Sequence, residues 1–199
     1  MSTSEKKRPI DVSQLSSEQL QNELEREKYK SNYISAIKGT VYTLITVAAV
    51  AVLVAVLFLP VLRIFGSSMA PTLEEGDIVL SLKHGSFETG DVVAFYYNNK
   101  ILVKRVIAQS GEVVDIDQDG TVFVDGVEIE EPYVSGKAFG DCDIELPYQV
   151  PDGRLFVMGD QRDVSVDSRN TAVGPVSQEQ IVGRIVLRVW PLADFGRIR

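Results

Sequence analysis

The sequence holds one cysteine, Cys142, and one histidine, His84. A single thiol forms no internal disulfide, so the fold must rest on its core. Two such residues cannot build a metal site of the usual nitrogen and sulfur type. With so little imidazole, a serine nucleophile would need another base, and lysine is the candidate. Positive charge is also scarce: 20 Lys and Arg stand against 28 Asp and Glu, a net charge of −8. That balance argues against a nucleic-acid binder, because phosphate contacts need clustered Lys and Arg. The acidic excess lies in residues 63–199, while residues 1–38 are close to neutral. Neither an internal repeat nor a low-complexity segment is present.

Charge is missing altogether from Gly39 to Leu62. A helix needs roughly 20 apolar residues to cross the hydrocarbon layer, and this run suffices. A cleavable signal peptide has an apolar region of about 7–15 residues behind a short positive start. Here the run is longer and follows 38 polar residues, so it reads as an uncleaved anchor. Arg26, Lys28, Lys30 and Lys38 precede it, and Arg63 stands nearly alone after it. By the positive-inside rule residues 1–38 are expected in the cytoplasm and residues 63–199 outside. Pro60 can end or bend the helix near the outer face. In the tail, Leu15, Leu20, Leu24 and Tyr29 give only a loose helical stripe. The tail is expected to be a solvated helix or disordered rather than a partner-binding helix.

After residue 63 short apolar runs alternate with Gly, Asp and Asn turns. Ile78–Leu82, 91–97, 101–109, Val113–Ile116, 121–124, 127–129, 155–158 and Ile181–Trp190 read as strands. Asn98-Asn99-Lys100, Asp119-Gly120 and Asp125-Gly126 read as hairpin turns. About eight strands in succession predict a mainly β domain, an antiparallel β sandwich or barrel. Residues 131–153 hold few strand formers and are expected to form a loop or small cap.

Two residues in this frame could carry chemistry. Ser68 lies in Gly66-Ser67-Ser68-Met69-Ala70-Pro71-Thr72-Leu73, and Lys104 in Ile101-Leu102-Val103-Lys104-Arg105-Val106-Ile107. A serine hydroxyl is a weak nucleophile until a base removes its proton. A lysine serves only when neutral, which burial among apolar groups favours. Strand alternation puts Lys104 on one face with Leu102 and Val106. Lys83, Lys100 and Lys137 sit among turn residues and fit less well. Alone, Lys104-Arg105 reads sooner as a charged pair on a sheet edge, and Ser68 sooner as a loop serine.

Together the segments resemble the type I signal peptidases. Gly66–Leu73 is similar to that family's nucleophile segment. Lys104-Arg105-Val106-Ile107 with Gly111-Glu112-Val113-Val114 is similar to its lysine segment, and the stretch from Gly159 to Arg169 to its third. The segments come in the family's order behind an anchor. The resemblance implies Ser68 as nucleophile, Lys104 as general base, and Ser165 as the residue that hydrogen-bonds the lysine amine. Asp167 and Arg169 would form a supporting ion pair, with Asp160 and Arg162 nearby. The Ser68 N–H would serve an oxyanion hole. Where some members place a serine hydroxyl in that hole, this chain has Gly66. The family's usual Asn is Gln161 here, and its usual Pro-Gly-Asp after the lysine strand is Gln109-Ser110-Gly111-Glu112.

The resemblance further implies that no metal, nucleotide or other cofactor is needed. The implied substrates are exported preproteins bearing signal peptides, cut after small residues. They would lie as an added strand in an apolar groove near Met69, Phe65 and the 91–97 strand. The functional unit is expected to be a monomer at the cell membrane. Phe65 and Trp190 could touch lipid, although Trp190 is equally suited to the core. Two alternatives stay open. One is a dedicated serine–lysine peptidase with a single substrate, akin to conjugation maturation peptidases. Self-cleaving repressors of the DNA-damage response are a remoter kin, since a span and no DNA-binding helix pair are present. The other alternative is a catalytically silent scaffold.

Overall fold

A computed structural model describes residues 16–58, 60–83 and 85–198. The start of the tail, with Leu15, and His84 lie outside the described residues. Residues up to Leu53 and residues from Val54 onward form two compact units. In the first, the described residues from Ser17 on belong to one long helix, α1 (Ser17–Phe58). Its Leu24–Val54 stretch is apolar and long enough to cross a membrane, and none of its most apolar window is buried. A helix that is apolar all round and unburied fits lipid rather than a soluble core. Thr40, Thr43 and Thr46 satisfy their hydroxyls on carbonyls four residues back, so they cost the helix little. The helix ends at Phe58, short of the Leu62 expected from hydropathy. Pro60 cannot continue it, and strand β1 (Val61–Arg63) follows.

The second unit is mainly antiparallel β, as the turn spacing predicts. Its strands continue as β2 (Ile78–Leu82), β3 (Val92–Tyr97), β4 (Lys100–Ala108) and β5 (Val113–Ile116). Then come β6 (Val122–Val124), β7 (Val127–Glu128), β8 (Tyr148–Gln149) and β9 (Arg154–Met158). Last are β10 (Val176–Ser177), β11 (Ile181–Trp190) and β12 (Gly196–Arg197). One sheet runs β1-β2-β11-β3-β4-β9-β10, with β12 also on β11; a smaller sheet runs β7-β6-β5-β8. The strands β1, β8, β10 and β12 have two or three residues each, too few for a period-2 pattern to reveal.

Alternation along the central strands builds a core on both faces of the large sheet. Val92 and Ala94 join Met69, Leu73 and Val79 on one side. Val93 and Phe95 join Val106, Leu155 and Val157 on the other. A third cluster holds Ile107, Val114, Val122, Phe156 and Met158. The 131–153 segment is a cap: Phe139, Ile144 and Leu146 pack onto that third cluster.

Candidate active site

β3 and β4 pair Val93 with Lys104 and Phe95 with Leu102. Directly paired residues share a face, so Lys104 is in line with Leu102 and Val106, both of the Val93–Phe95 cluster. Lys104 is only 3% exposed. Its Nζ lies 2.6 Å from Ser68 Oγ, within hydrogen-bond range. Ser68 is half-buried, whereas Ser67 is exposed. Burial is the main cause that lowers the Lys104 pKa from 10.5 to about 8; the Asp167 and Asp160 carboxylates raise it, and the Arg169 guanidinium lowers it. Desolvation therefore outweighs the net pull of neighbouring charge.

The nucleophile segment is a tight turn. Ala70 N–H donates to the Ser67 carbonyl at 3.0 Å, and Leu73 N–H to the Met69 carbonyl at 2.8 Å. Buried Met69 and Leu73 hold it against the core. The Ser68 carbonyl accepts from Gln161 N–H at 3.1 Å. Backbone alone makes that contact, so Gln161 in place of Asn leaves it intact. Ser68 N–H makes no hydrogen bond among the described residues. Gly66 has φ of +79°, and a Cβ there would meet no atom within 4 Å. Space for a side chain exists, but left-handed backbone favours glycine.

The 159–169 segment closes the other side. Arg169 Nε donates to Asp167 Oδ1 and Arg169 Nη2 to Asp167 Oδ2, both at 2.9 Å, with both side chains fully buried. The same carboxylate accepts from Gly159 N–H at 3.0 Å. Arg169 also donates to the carbonyls of Phe139 and Arg162, at 2.9 Å each. The pair thus pins the cap and the Gly159 turn together. Gly159 is required by space: a Cβ would sit 2.5 Å from the Ser68 carbonyl oxygen and closer still to Ser165 Oγ. The expected hydrogen bond from Lys104 to Ser165 is not formed here. The lysine amine engages Ser68, and Ser165 Oγ, packed against Gly159, is buried without a partner.

Sequence reasoning missed a second buried network. Arg105 Nε and Nη2 donate to Asp160 Oδ1 and Oδ2, at 2.9 and 2.7 Å. Arg105 Nη2 also donates to Thr72 Oγ1 at 3.2 Å, and the Thr72 hydroxyl donates to Asp160. Far from a sheet-edge charge, Arg105 is 1% exposed and ties the lysine strand to the nucleophile segment. The available signal was Arg105 itself, a charge inside an apolar strand with Asp160 as a distant partner.

A groove of about 690 Å³ opens at Ser68 and Lys104. It is lined by residues 61–66 with Ser68 and Met69 on one side, and by 99–104 on the other. Phe65 and Met69 line it as expected, but the 91–97 strand does not. β3 is paired on both edges, by β11 and β4, so it is interior. β4 pairs with β9 only from Arg105 onward, which leaves its first half with an open edge.

This geometry can be set beside known proteins. Signal peptidase IB of Staphylococcus aureus is 37% identical over 150 residues, 65% of this chain and 77% of that protein. Thylakoidal processing peptidase 1, chloroplastic, of Arabidopsis thaliana is 36% identical over 165 residues, 72% of this chain and 47% of that protein. The crystal structure of a signal peptidase I from Enterococcus faecalis V583 shares 28% identity, with a TM-score of 0.43; the match covers 50% of this chain and 97% of that one. The family described as signal peptidase, peptidase S26, matches residues 37–190, which takes in the nucleophile turn, the lysine strand and the 159–169 segment alike. The chain therefore belongs to the S26 signal peptidases, the bacterial type I family.

Proposed function

We propose that this chain is a membrane-anchored serine endopeptidase that removes signal peptides from exported preproteins, with Ser68 as nucleophile and Lys104 as general base. The observation that carries the reading is the 2.6 Å approach of a buried lysine amine to Ser68 Oγ. A pKa of about 8 leaves roughly a tenth of the lysine neutral at pH 7, enough to accept a proton. The neutral amine takes the Oγ proton as Oγ attacks the scissile carbonyl carbon. The tetrahedral intermediate collapses, the C–N bond breaks, and the lysine ammonium returns its proton to the leaving amine. Water, deprotonated by the same amine, then cleaves the acyl-serine ester. Ser68 N–H, without a hydrogen-bond partner among the described residues, is the donor left for the oxyanion, a role worth about 2.7–4 kcal/mol per donor. Ser165, buried and unpaired, is the group that orients the lysine during this cycle. Asp167 and Arg169 hold the turn that carries it.

The open edge of β4 facing residues 61–66 suits an extended substrate added by main-chain hydrogen bonds. The excess of Arg and Lys before the span supports a cytoplasmic tail (1–38), a span running from Gly39 to the end of α1 at Phe58, and an extracytoplasmic peptidase domain that begins with β1. Anchoring both enzyme and preprotein in one bilayer raises their effective concentration, and a monomer suffices. Exposed Phe65 and Trp190 favour contact with lipid, and Trp190 is not a core residue.

The test is cleavage of a panel of unrelated preproteins by the full chain in detergent, with the new N-termini sequenced. Cutting of several preproteins after Ala-sized residues supports the general reading. Cutting of one alone makes the enzyme dedicated, and cutting of none makes the chain a silent scaffold. Protease added outside intact cells should digest residues 63–199 and spare the tail.

A further inference from the structure

The segment that begins the cap carries two side chains that reach into the site's buried charges. The Glu131 carboxylate pairs with the Arg162 guanidinium, with side chains 1% and 0% exposed. Arg162 Nη1 donates to Glu131 Oε2 at 3.0 Å, and Arg162 Nε donates to the Gly159 carbonyl at 3.0 Å. Two residues on, the Tyr133 ring covers the guanidinium of Arg105, with Cζ 3.8 Å from the ring centroid. The Tyr133 hydroxyl donates to Glu131 Oε1 at 3.3 Å. Burial, and then the Glu131 charge, push the phenol pKa upward, so it stays a neutral donor. A hydrogen bond from Val134 N–H to the Glu131 carbonyl, at 3.0 Å, closes the turn.

Each arginine reaches a different half of the site. Arg162 holds the Gly159 carbonyl, and Gly159 abuts the Ser68 carbonyl and Ser165. Arg105 follows Lys104 in β4 and grips Asp160 and Thr72. A planar fork of donors fixes direction as well as distance, so what fixes both arginines fixes the spacing between lysine strand and nucleophile turn. The geometry points to Glu131 and Tyr133 as positioning residues for hydrolysis at Ser68: their turn clamps Arg162 and Arg105, and through them sets the distance between Ser68 and Lys104. This inference rests on the serine–lysine reading above.

The turn also covers one of the charges that act on Lys104. Asp167, Arg169 and Asp160 act on the lysine, and the Tyr133 ring covers Arg105, the partner of Asp160. Without the ring over Arg105, water reaches this pair and Asp160 is less compensated. Both changes favour the ammonium form of Lys104.

The test measures preprotein cleavage by the full chain in detergent, well below its unfolding temperature, for Tyr133→Leu, Tyr133→Phe and Glu131→Gln. Tyr133→Phe keeps the ring face and should hold kcat within about threefold of wild type. Tyr133→Leu should lower kcat about tenfold or more with KM within about twofold, as misplacement of reacting groups does. Its kcat–pH limb should move to higher pH by about half a unit or more. Glu131→Gln should lower kcat similarly, and it decides the matter if Tyr133→Leu does not fold. Wild-type kcat and an unmoved limb in folded Tyr133→Leu, or wild-type kcat in folded Glu131→Gln, would overturn the inference. So would losses that vanish once rates are expressed per folded molecule. Failure of the serine–lysine reading shows differently, as Ser68→Ala cleaving at the wild-type rate.

Discussion

Replacing Lys104 by methionine should abolish cleavage and yet stabilise the fold at neutral pH. The chain length is similar, and the site around it is apolar. The lysine pKa falls from 10.5 to about 8 because burial disfavours its charge. At about 1.4 kcal/mol per tenfold change, holding this group in the fold costs about 3 kcal/mol at pH 7. Between pH 8 and 10.5 the unfolded chain carries a proton on Lys104 that the folded chain has lost, so wild-type stability rises with pH across that window. By pH 9 the cost is about 2 kcal/mol, and above pH 10.5 it is gone. Methionine has no such dependence, but it leaves Ser68 Oγ without its partner, a loss of about 1 kcal/mol. The variant should therefore lead by about 2 kcal/mol at pH 7 and by about 1 at pH 9, and trail at the alkaline extreme. Urea unfolding of the full chain in detergent, followed by the single tryptophan, Trp190 in β11, reads the difference. The slope with pH is diagnostic, whatever the offset. A gap that stays constant from pH 7 to 9, or widens, refutes a desolvated lysine.

Other outcomes follow from the same geometry. The kcat–pH profile of wild type should rise through an apparent pKa near 8; a flat profile from pH 6 to 9 would contradict a titrating base. Lys104→Arg should be inactive, since a guanidinium cannot accept the proton at these pH values; measurable kcat in the folded variant would count against general-base catalysis. Gly159→Ala places a Cβ against the Ser68 carbonyl and Ser165 Oγ, so kcat should fall by at least about a hundredfold, as read in initial cleavage rates. Asp167→Asn leaves Arg169 as an uncompensated buried charge and should cost about 3–5 kcal/mol in urea unfolding.

The sequence shows the fold class through the turns at Asp119-Gly120 and Asp125-Gly126 and through strands such as Ile181–Trp190, long enough for alternation to register. It shows less well where tertiary pairing alone makes a strand. Val61 and Leu62 are apolar enough to be counted with the span, and only the register of Val61–Arg63 against Ile78, Val79 and Leu80 makes a strand there. The order of strands is invisible to local pattern, so sequence points to the 91–97 strand as groove lining, whereas the structure puts the open half of β4 there. Ser68 and Lys104 are legible through the resemblance of their two segments, taken together with Gly159–Arg169, to one family; alone, a lysine in an apolar strand and a serine in a turn read as a surface charge and a loop residue. The clamp of Glu131, Tyr133, Arg162 and Arg105 was not, because its members lie in three separate segments, the turn at Glu131 and Tyr133, the lysine strand and the turn at Arg162. Each alone looks like a surface charge or a loop aromatic, and burial becomes evident only when Arg162 and Glu131 meet.

The central claim, that Ser68 and Lys104 act as one catalytic unit, is tested most directly by preprotein cleavage rates for wild type, Ser68→Ala, Lys104→Ala and the double variant in one detergent. The account predicts that each single change lowers kcat by about a thousandfold or more and that the double variant is no slower than the singles, as for residues that share one step. Substantial activity in either single variant, or losses that multiply in the double, would contradict it.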